Sequence, residues 1–253
     1  MLELLSPAGS MESVTAAVQN GANAVYLGYG DFNARRNAKN FTREEVAAAV
    51  SYCHTRGTKV HLTLNTLLTD RELPAAAQVA GEINEMGVDA VIVQDLGVAR
   101  MLHQVAPQLA LHASTQMTVH SLDGVKECAR LGFTRAVLSR ELSRDQIRYI
   151  CQNSPIEIET FAHGALCMCY SGQCYLSSVI GGRSGNRGAV CPALPPQIRL
   201  GQPGQRVSPV PQGHVSGRLP PGAGGDGSVL SQNRRAHEAP GVCGHRHRHL
   251  CPG

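Results

Sequence analysis

His163, Cys167, Cys169 and Cys174 fall within twelve residues of one another. Thiols this close can hold a metal, close a disulfide or carry redox chemistry. The spacing Cys-x-Cys-x4-Cys is not that of a zinc finger, and no matching second pair follows it. A peptidase reading needs an activated nucleophile or a metal-bound water. The chain has neither a His-Glu-x-x-His helix nor a Gly-x-Ser-x-Gly elbow. Cys167 or Cys174 beside His163 could form a thiolate pair, but a nucleophile flanked by further thiols is an odd design. From these residues alone, metal binding and thiol chemistry both stay open. Cys169 reads as a small buried apolar residue, and Cys53, Cys128 and Cys151, on helical patterns, read as core thiols.

The thiol cluster follows an alternating run, Ile156 to Phe161, that is the last of seven strand-like segments. The others are Leu2–Leu5, Ala24–Leu27, Val60–Leu64, Ala90–Val93, Leu109–His112 and Ala136–Leu138. Between them lie Ala-rich helical patterns at Met11–Gln19, Arg43–Thr55, Leu73–Met86, Val98–Val105, Leu122–Leu131 and Arg144–Cys151. Ser10, Thr42 with Glu45, and Ser143 with Gln146 supply helix-start chemistry, and Gly21, Gly57, Gly87 and Gly132 mark helix ends. Seven such units, at a period of roughly 25 residues, predict a (β/α)8 TIM-like barrel rather than an open sheet. Catalytic groups in a barrel stand where strands end, which points to His112, Gln116, Arg140 and His163. Ser6, Asn65, Gln94, Asp95, Ser114, Ser139 and Glu141 share that placement, and Ser6, Asp95 and Ser139 read as caps or turn residues.

The eighth strand is missing from this pattern. After Ala189 the texture changes: ten of the 14 Pro lie beyond it, with no Phe, Tyr or Lys. The expected division is a truncated barrel domain at 1–189 and an irregular, disordered Gly/Pro/Arg-rich tail at 190–253. The tail's Arg, Pro, Gly, His and Ala come from GC-rich codons. Shifted by one base, it can encode an amphipathic helical pattern over 211–227 and an apolar strand pattern over 232–253. We therefore read the tail as translated out of frame from about codon 189 or 190. It also distorts the net charge of +4: with the tail's seven Arg, one Asp and one Glu set aside, 16 basic side chains face 17 acidic ones. Bulk charge in the body does not demand a nucleic-acid partner. No segment reads as a signal peptide or membrane span, so the expectation is a cytoplasmic protein with reduced thiols.

One run of residues resembles a known family. Glu159-x-Phe161-x-x-Gly164-Ala165-Leu166-Cys167, four residues, then Gly172-x-Cys174-x-Leu176-Ser177 is similar to the signature of the collagenase-like peptidase family U32. Leu62-Thr-Leu-Asn-Thr66, Leu111-His-Ala-Ser-Thr-Gln116 and Gly182-Arg-Ser-Gly-Asn-Arg-Gly188 extend the resemblance over about residues 1–189. It is strongest to the RNA-hydroxylating branch, which makes 5-hydroxycytidine in ribosomal RNA or 5-hydroxyuridine in tRNA. The resemblance implies an iron–sulfur-dependent hydroxylase with a 4Fe–4S cluster, two of whose ligands are Cys167 and Cys174. A further pair follows the Asn-Arg-Gly motif in the family. Here Val190 fills the first of those slots and Cys191 stands one place late, so the ligand set is incomplete. The resemblance also implies prephenate as a co-substrate, with no residue here standing out to bind it. RNA would then be the substrate, and Arg35, Arg36, Lys39, Arg140 and Arg183 are the cations available near the mouth. The alternatives are a peptidase acting on a protein substrate and an inactive frameshifted fragment.

Overall fold

The structure, a computed structural model, describes residues 2–34, 40–164 and 169–189, together with the backbone of four short strands beyond them. Seven parallel strands run in order: β1 (Leu4–Pro7), β2 (Ala24–Gly28), β3 (Lys59–Leu64), β4 (Ala90–Val93), β5 (Ala110–Ala113), β6 (Arg135–Val137) and β7 (Glu157–Gly164). Helices α1 (Met11–Gln19), α2 (Arg43–His54), α3 (Leu73–Glu85), α4 (Leu96–Val105), α5 (Leu122–Arg130) and α6 (Arg144–Asn153) alternate with them. Sequential pairing from β1 to β7 curls the sheet into the expected TIM-like barrel, still incomplete as a set of β/α units.

The helices start where their side chains satisfy the first free N–H groups. Ser10 Oγ accepts from Ser13 N–H, and Thr42 with Glu45 and Ser143 with Gln146 form reciprocal capping boxes. Asp95 Oδ1 accepts from the N–H groups of Gly97 and Val98 and so opens α4, the capping role expected of it. Helix ends turn sharply on glycine: Gly21 and Gly132 take φ of 87° and 86°, where a side chain would be strained.

Alternation along each strand separates two interiors. Val60, Leu62 and Leu64 of β3, Val91 and Val93 of β4 and Leu111 of β5 join the helices in one large apolar core. Residues of the opposite parity point into the barrel, where Leu5, Ala24, Tyr26 and Ile92 form a second, small cluster. Around it the barrel interior is polar. Arg135, only 2% exposed, is held by Glu157 and by Glu3 at 3.4 Å, with Glu159 at 3.9 Å. His61 and His112 stand ring edge to ring face, 4.8 Å apart. Cys53 and Cys128 are core thiols as expected, each pushed up to about 11 chiefly by burial.

The eighth strand position is not empty, which corrects the expectation from sequence. Beyond the barrel units come α7 (Leu176–Gly181) and the short strands β8 (Ile198–Arg199), β9 (Arg206–Val207), β10 (His214–Val215) and β11 (Val229–Asn233). The backbone of β11 lies parallel between β7 and β1, pairing Val229 with Ile158 and Leu4 with Ser231. Two open edges present a row of unpaired N–H and C=O groups, and any Pro-free stretch of backbone can satisfy them. Residues 228–239 are the longest part of the tail without Pro or Gly. Among the described residues no helix follows β11, so it closes the ladder without completing an eighth β/α unit.

Candidate functional site

The C-terminal ends of the strands are joined by side chains from loops far apart in sequence. After β3, Asn65 Oδ1 accepts from Ala34 N–H at 3.0 Å, tying in the loop after β2. Asp95, after β4, accepts from Leu68 N–H at 3.0 Å with its second oxygen. Gln94 accepts from the Asn186 side-chain amide at 2.5 Å, and Asn186 Oδ1 in turn accepts from Leu67 N–H at 2.9 Å. Arg187 forks onto Glu72, with bonds of 2.5 and 2.8 Å, and donates a third to Leu67 C=O at 2.9 Å. That guanidinium and the Thr69 donors hold the Glu72 carboxyl far below the usual carboxylate range.

The segment carrying Cys174 is pinned on its other side. Thr118 donates to Ser171 C=O at 2.8 Å and accepts from the Gln173 amide at 2.9 Å. Glu141 accepts from both the N–H and the hydroxyl of Ser171, at 2.8 and 3.0 Å. Gly172 packs so closely on Gln116 that an added Cβ would lie 2.3 Å from the Gln116 carbonyl oxygen. Thr118 is the one non-glycine with positive φ among the described residues, at 59°. A β-branched residue there is strained, and such strain persists only where the surroundings hold it. Residues 169–189 therefore form a strap laid across the barrel mouth, bonded to the loops after β3, β4, β5 and β6.

The residues picked out from sequence do not all meet at this mouth. Gln116 and Arg140 do. Gln116 sits in a short 3-10 turn after β5, and its side-chain oxygen is buried without a partner. Arg140 follows β6, its guanidinium 5.7 Å from the centre of the Phe161 ring and its Nε 3.3 Å from Ser171 Oγ. His112 does not. It lies inside β5, 4% exposed, in register with Ile92 and Arg135, so it belongs to the barrel interior one layer below the mouth. Strand β5 runs one residue further than the apolar pattern indicated, which draws His112 inward. Cys174 is exposed on the strap and Cys169 is half-buried rather than buried. His163 closes β7, but its side chain, with Cys167 and Cys191, lies outside the described residues, as do Arg35, Arg36 and Lys39.

The barrel interior was missed by sequence reasoning. His61 and His112 are held neutral: burial, Arg135 and Lys59 bring His61 down to about 3, and burial with the same cations acts on His112 in the same direction. The only available signal was a histidine at an alternate position of an otherwise apolar strand. Thr118 and Ser171 gave no signal, since their roles come from backbone conformation. For the implied cluster, Cys174 has the right donor and an open position. Among the described residues no three His, Cys, Asp or Glu side chains are grouped to hold a metal.

Comparison with known proteins follows this geometry. The family model of peptidase family U32 matches residues 9–193. A 23S rRNA 5-hydroxycytidine synthase of Escherichia coli (strain K12) is 46% identical over 187 residues, 74% of this chain and 28% of that protein. The tRNA hydroxylation protein P of the same strain is 36% identical over 187 residues, 74% of this chain and 41% of its own. A collagenase of Porphyromonas gingivalis (strain ATCC BAA-308 / W83) is 36% identical over 199 residues, 74% and 47% of the two chains. The chain thus spans less than half the length of these relatives. A solved U32 peptidase superposes with a TM-score of 0.55 at 16% identity, over 64% of this chain and 69% of its own, which concerns the fold alone. The family match runs from α1 through the strap that carries Cys174, and on that ground the chain belongs to peptidase family U32.

Proposed function

We propose that this chain is the barrel part of an RNA base hydroxylase, forming 5-hydroxycytidine or 5-hydroxyuridine. One observation carries the reading: the 46% identity to a ribosomal RNA 5-hydroxycytidine synthase covers 187 residues, a stretch long enough to take in most of the barrel and its loops. The tRNA hydroxylation protein supports the same reaction class at 36% identity. Cys174 on the outward side of the strap is compatible with it, the strap being braced by hydrogen bonds to Thr118 and Glu141. Cys167 and Cys174 would be cluster ligands, with Cys191 standing one place late for a third. Bound there, a 4Fe–4S cluster would supply one-electron chemistry at the mouth. What the chain's own residues do is hold the thiol segment rigid and keep the histidines below it uncharged. Prephenate as co-substrate rests on the resemblance alone.

The peptidase reading has one relative in its favour, the collagenase. It needs a base beside a thiol. The base that reading names is His163, whose side chain lies outside the described residues, while His112 is buried against His61 below the mouth.

The test is nucleoside mass spectrometry of ribosomal and transfer RNA from cells with and without the gene. Loss of one hydroxylated pyrimidine on deletion, restored by the gene and not by Cys174→Ser, is the expected result. Unchanged hydroxylation overturns it, and gelatin cleavage abolished by Cys174→Ser would favour the peptidase. Anaerobic purification should give brown protein with bound iron that Cys174→Ser diminishes.

A further inference from the structure

Two tyrosines flank Cys174 and point away from the protein. Tyr170 is 69% exposed and Tyr175 is 67% exposed. Val179 and Leu176, at 82% and 39%, extend the same surface along α7, with Val179 four residues after Tyr175 on one helical face. Tyr rings usually bury most of their apolar area, and a run of exposed ones on a rigid base marks a binding surface. The base here is rigid. Tyr170 C=O accepts from Gln173 N–H at 3.1 Å, closing a turn with Gly172 at φ 79°. Tyr175 C=O accepts from the N–H groups of Ser178 and Val179, opening α7. Thr118 and Glu141 fix the residues between.

A cation lies on the same strap, just past the end of α7. α7 ends at Gly182 in a left-handed turn that sends the chain back on itself, and Arg183 N–H donates to Ser177 C=O. The Arg183 side chain is exposed and folds over Gly181, where an added Cβ would lie 3.1 Å from its Nε. Exposed aromatic rings and an exposed guanidinium on one strap at a barrel mouth match the chemistry of unpaired nucleotides. Each base offers a flat face to stack and each phosphate a charge to meet Arg183.

We propose that Tyr170 and Tyr175 form a stacking platform that receives unpaired RNA bases at the barrel mouth, with Arg183 contacting the backbone phosphate. This rests on the RNA reading above. It adds that the substrate is recognised as a single-stranded or splayed-out segment, on the stretch of chain that carries Cys174.

The test uses the full chain and single-stranded RNA oligonucleotides carrying 2-aminopurine, whose fluorescence is quenched on stacking. Expected are quenching on binding, about tenfold weaker affinity for each of Tyr170→Ala and Tyr175→Ala, and affinity kept by the Tyr→Phe changes. Arg183→Gln should weaken binding and flatten its salt dependence while the quenching of the bound complex persists. Because both tyrosine side chains are exposed, their variants should melt with the parent. RNA bound equally by the Tyr→Ala variants would overturn the platform and leave the hydroxylase reading standing. Failure of the parent chain to bind any RNA would overturn both. Tyr-dependent binding of a collagen peptide, with RNA unaffected, would assign the surface to protein and sink the proposal.

Discussion

Mild acid should weaken this barrel through two histidines that never see solvent. His61 is 1% exposed, and burial first, then the Arg135 and Lys59 charges, bring it to about 3 from an ordinary value of 6.5. His112 touches it and is displaced in the same direction. Both rings are neutral in the fold and both can take a proton in the unfolded chain. The unfolded state therefore binds more protons below the ordinary histidine value, so stability is full above about pH 6.5 and falls as pH drops toward about 3. For His61 alone, linkage gives a loss of about 2 kcal/mol between about pH 7 and about pH 5. Ordinary carboxylates bind few protons over that interval, which makes the window clean. Urea unfolding of the parent and of His61→Gln at matched pH reads the effect. The variant will be less stable throughout, but its loss between those two pH values should be smaller by about 2 kcal/mol. Parallel pH profiles for the two proteins would refute the reasoning, since they would mean that the buried ring takes up a proton as easily as an exposed one.

The strap offers a second set of outcomes. Gly172→Ala puts a Cβ against the Gln116 carbonyl at a positive φ, so it should cost about 2 kcal/mol or more and show as faster amide exchange over residues 169–176. Thr118→Val keeps the shape but removes the two hydrogen bonds to Ser171 and Gln173; exchange should rise at those residues while β5 and β6 stay protected. Arg187→Gln removes the guanidinium from Glu72, and NMR titration should show Glu72 moving up toward the ordinary range, while the two Thr69 donors still hold it below. Nucleotide sequencing around codon 190 should find a one-base shift that restores a Cys directly after Ala189; an uninterrupted frame giving the present tail excludes it.

The alternating units of the barrel were legible because each obeys a local rule. Helix α1 spans Met11–Gln19 and β4 spans Ala90–Val93, the bounds that period and caps indicate. Misses fall where long-range pairing decides. β11 has no amphipathic period, yet two open edges select it because it lacks Pro. His112 was placed at the mouth because strand ends are set by partners: Ala113 pairs with Val93 and Ala136, which carries β5 one residue further. The short helix α7 was not anticipated, being six residues without a capping side chain. Arg135 gave no hint of burial, because its acceptability inside the barrel depends on Glu3 and Glu157, more than 20 residues away on either side.

These placements also say where chemistry belongs in the molecule. Below the mouth the buried Arg135 is answered by Glu157, Glu3 and Glu159, and the exposed Lys59 reaches Glu3 at 3.5 Å. An ion network buried in that way is costly to disturb. The histidines beside it are neutral and packed on one another. At the mouth the arrangement is reversed. The hydrogen bonds of Thr118, Glu141, Gln94 and Asn186 are spent on holding the strap, and what the strap shows to solvent is Cys174 between two tyrosines. The exposed thiol and the two tyrosines are thus carried on a segment whose position depends on several strands at once. A substitution in any of those loops should therefore reach the thiol through the strap, whereas one in the buried ion network should reach it only by unfolding the barrel.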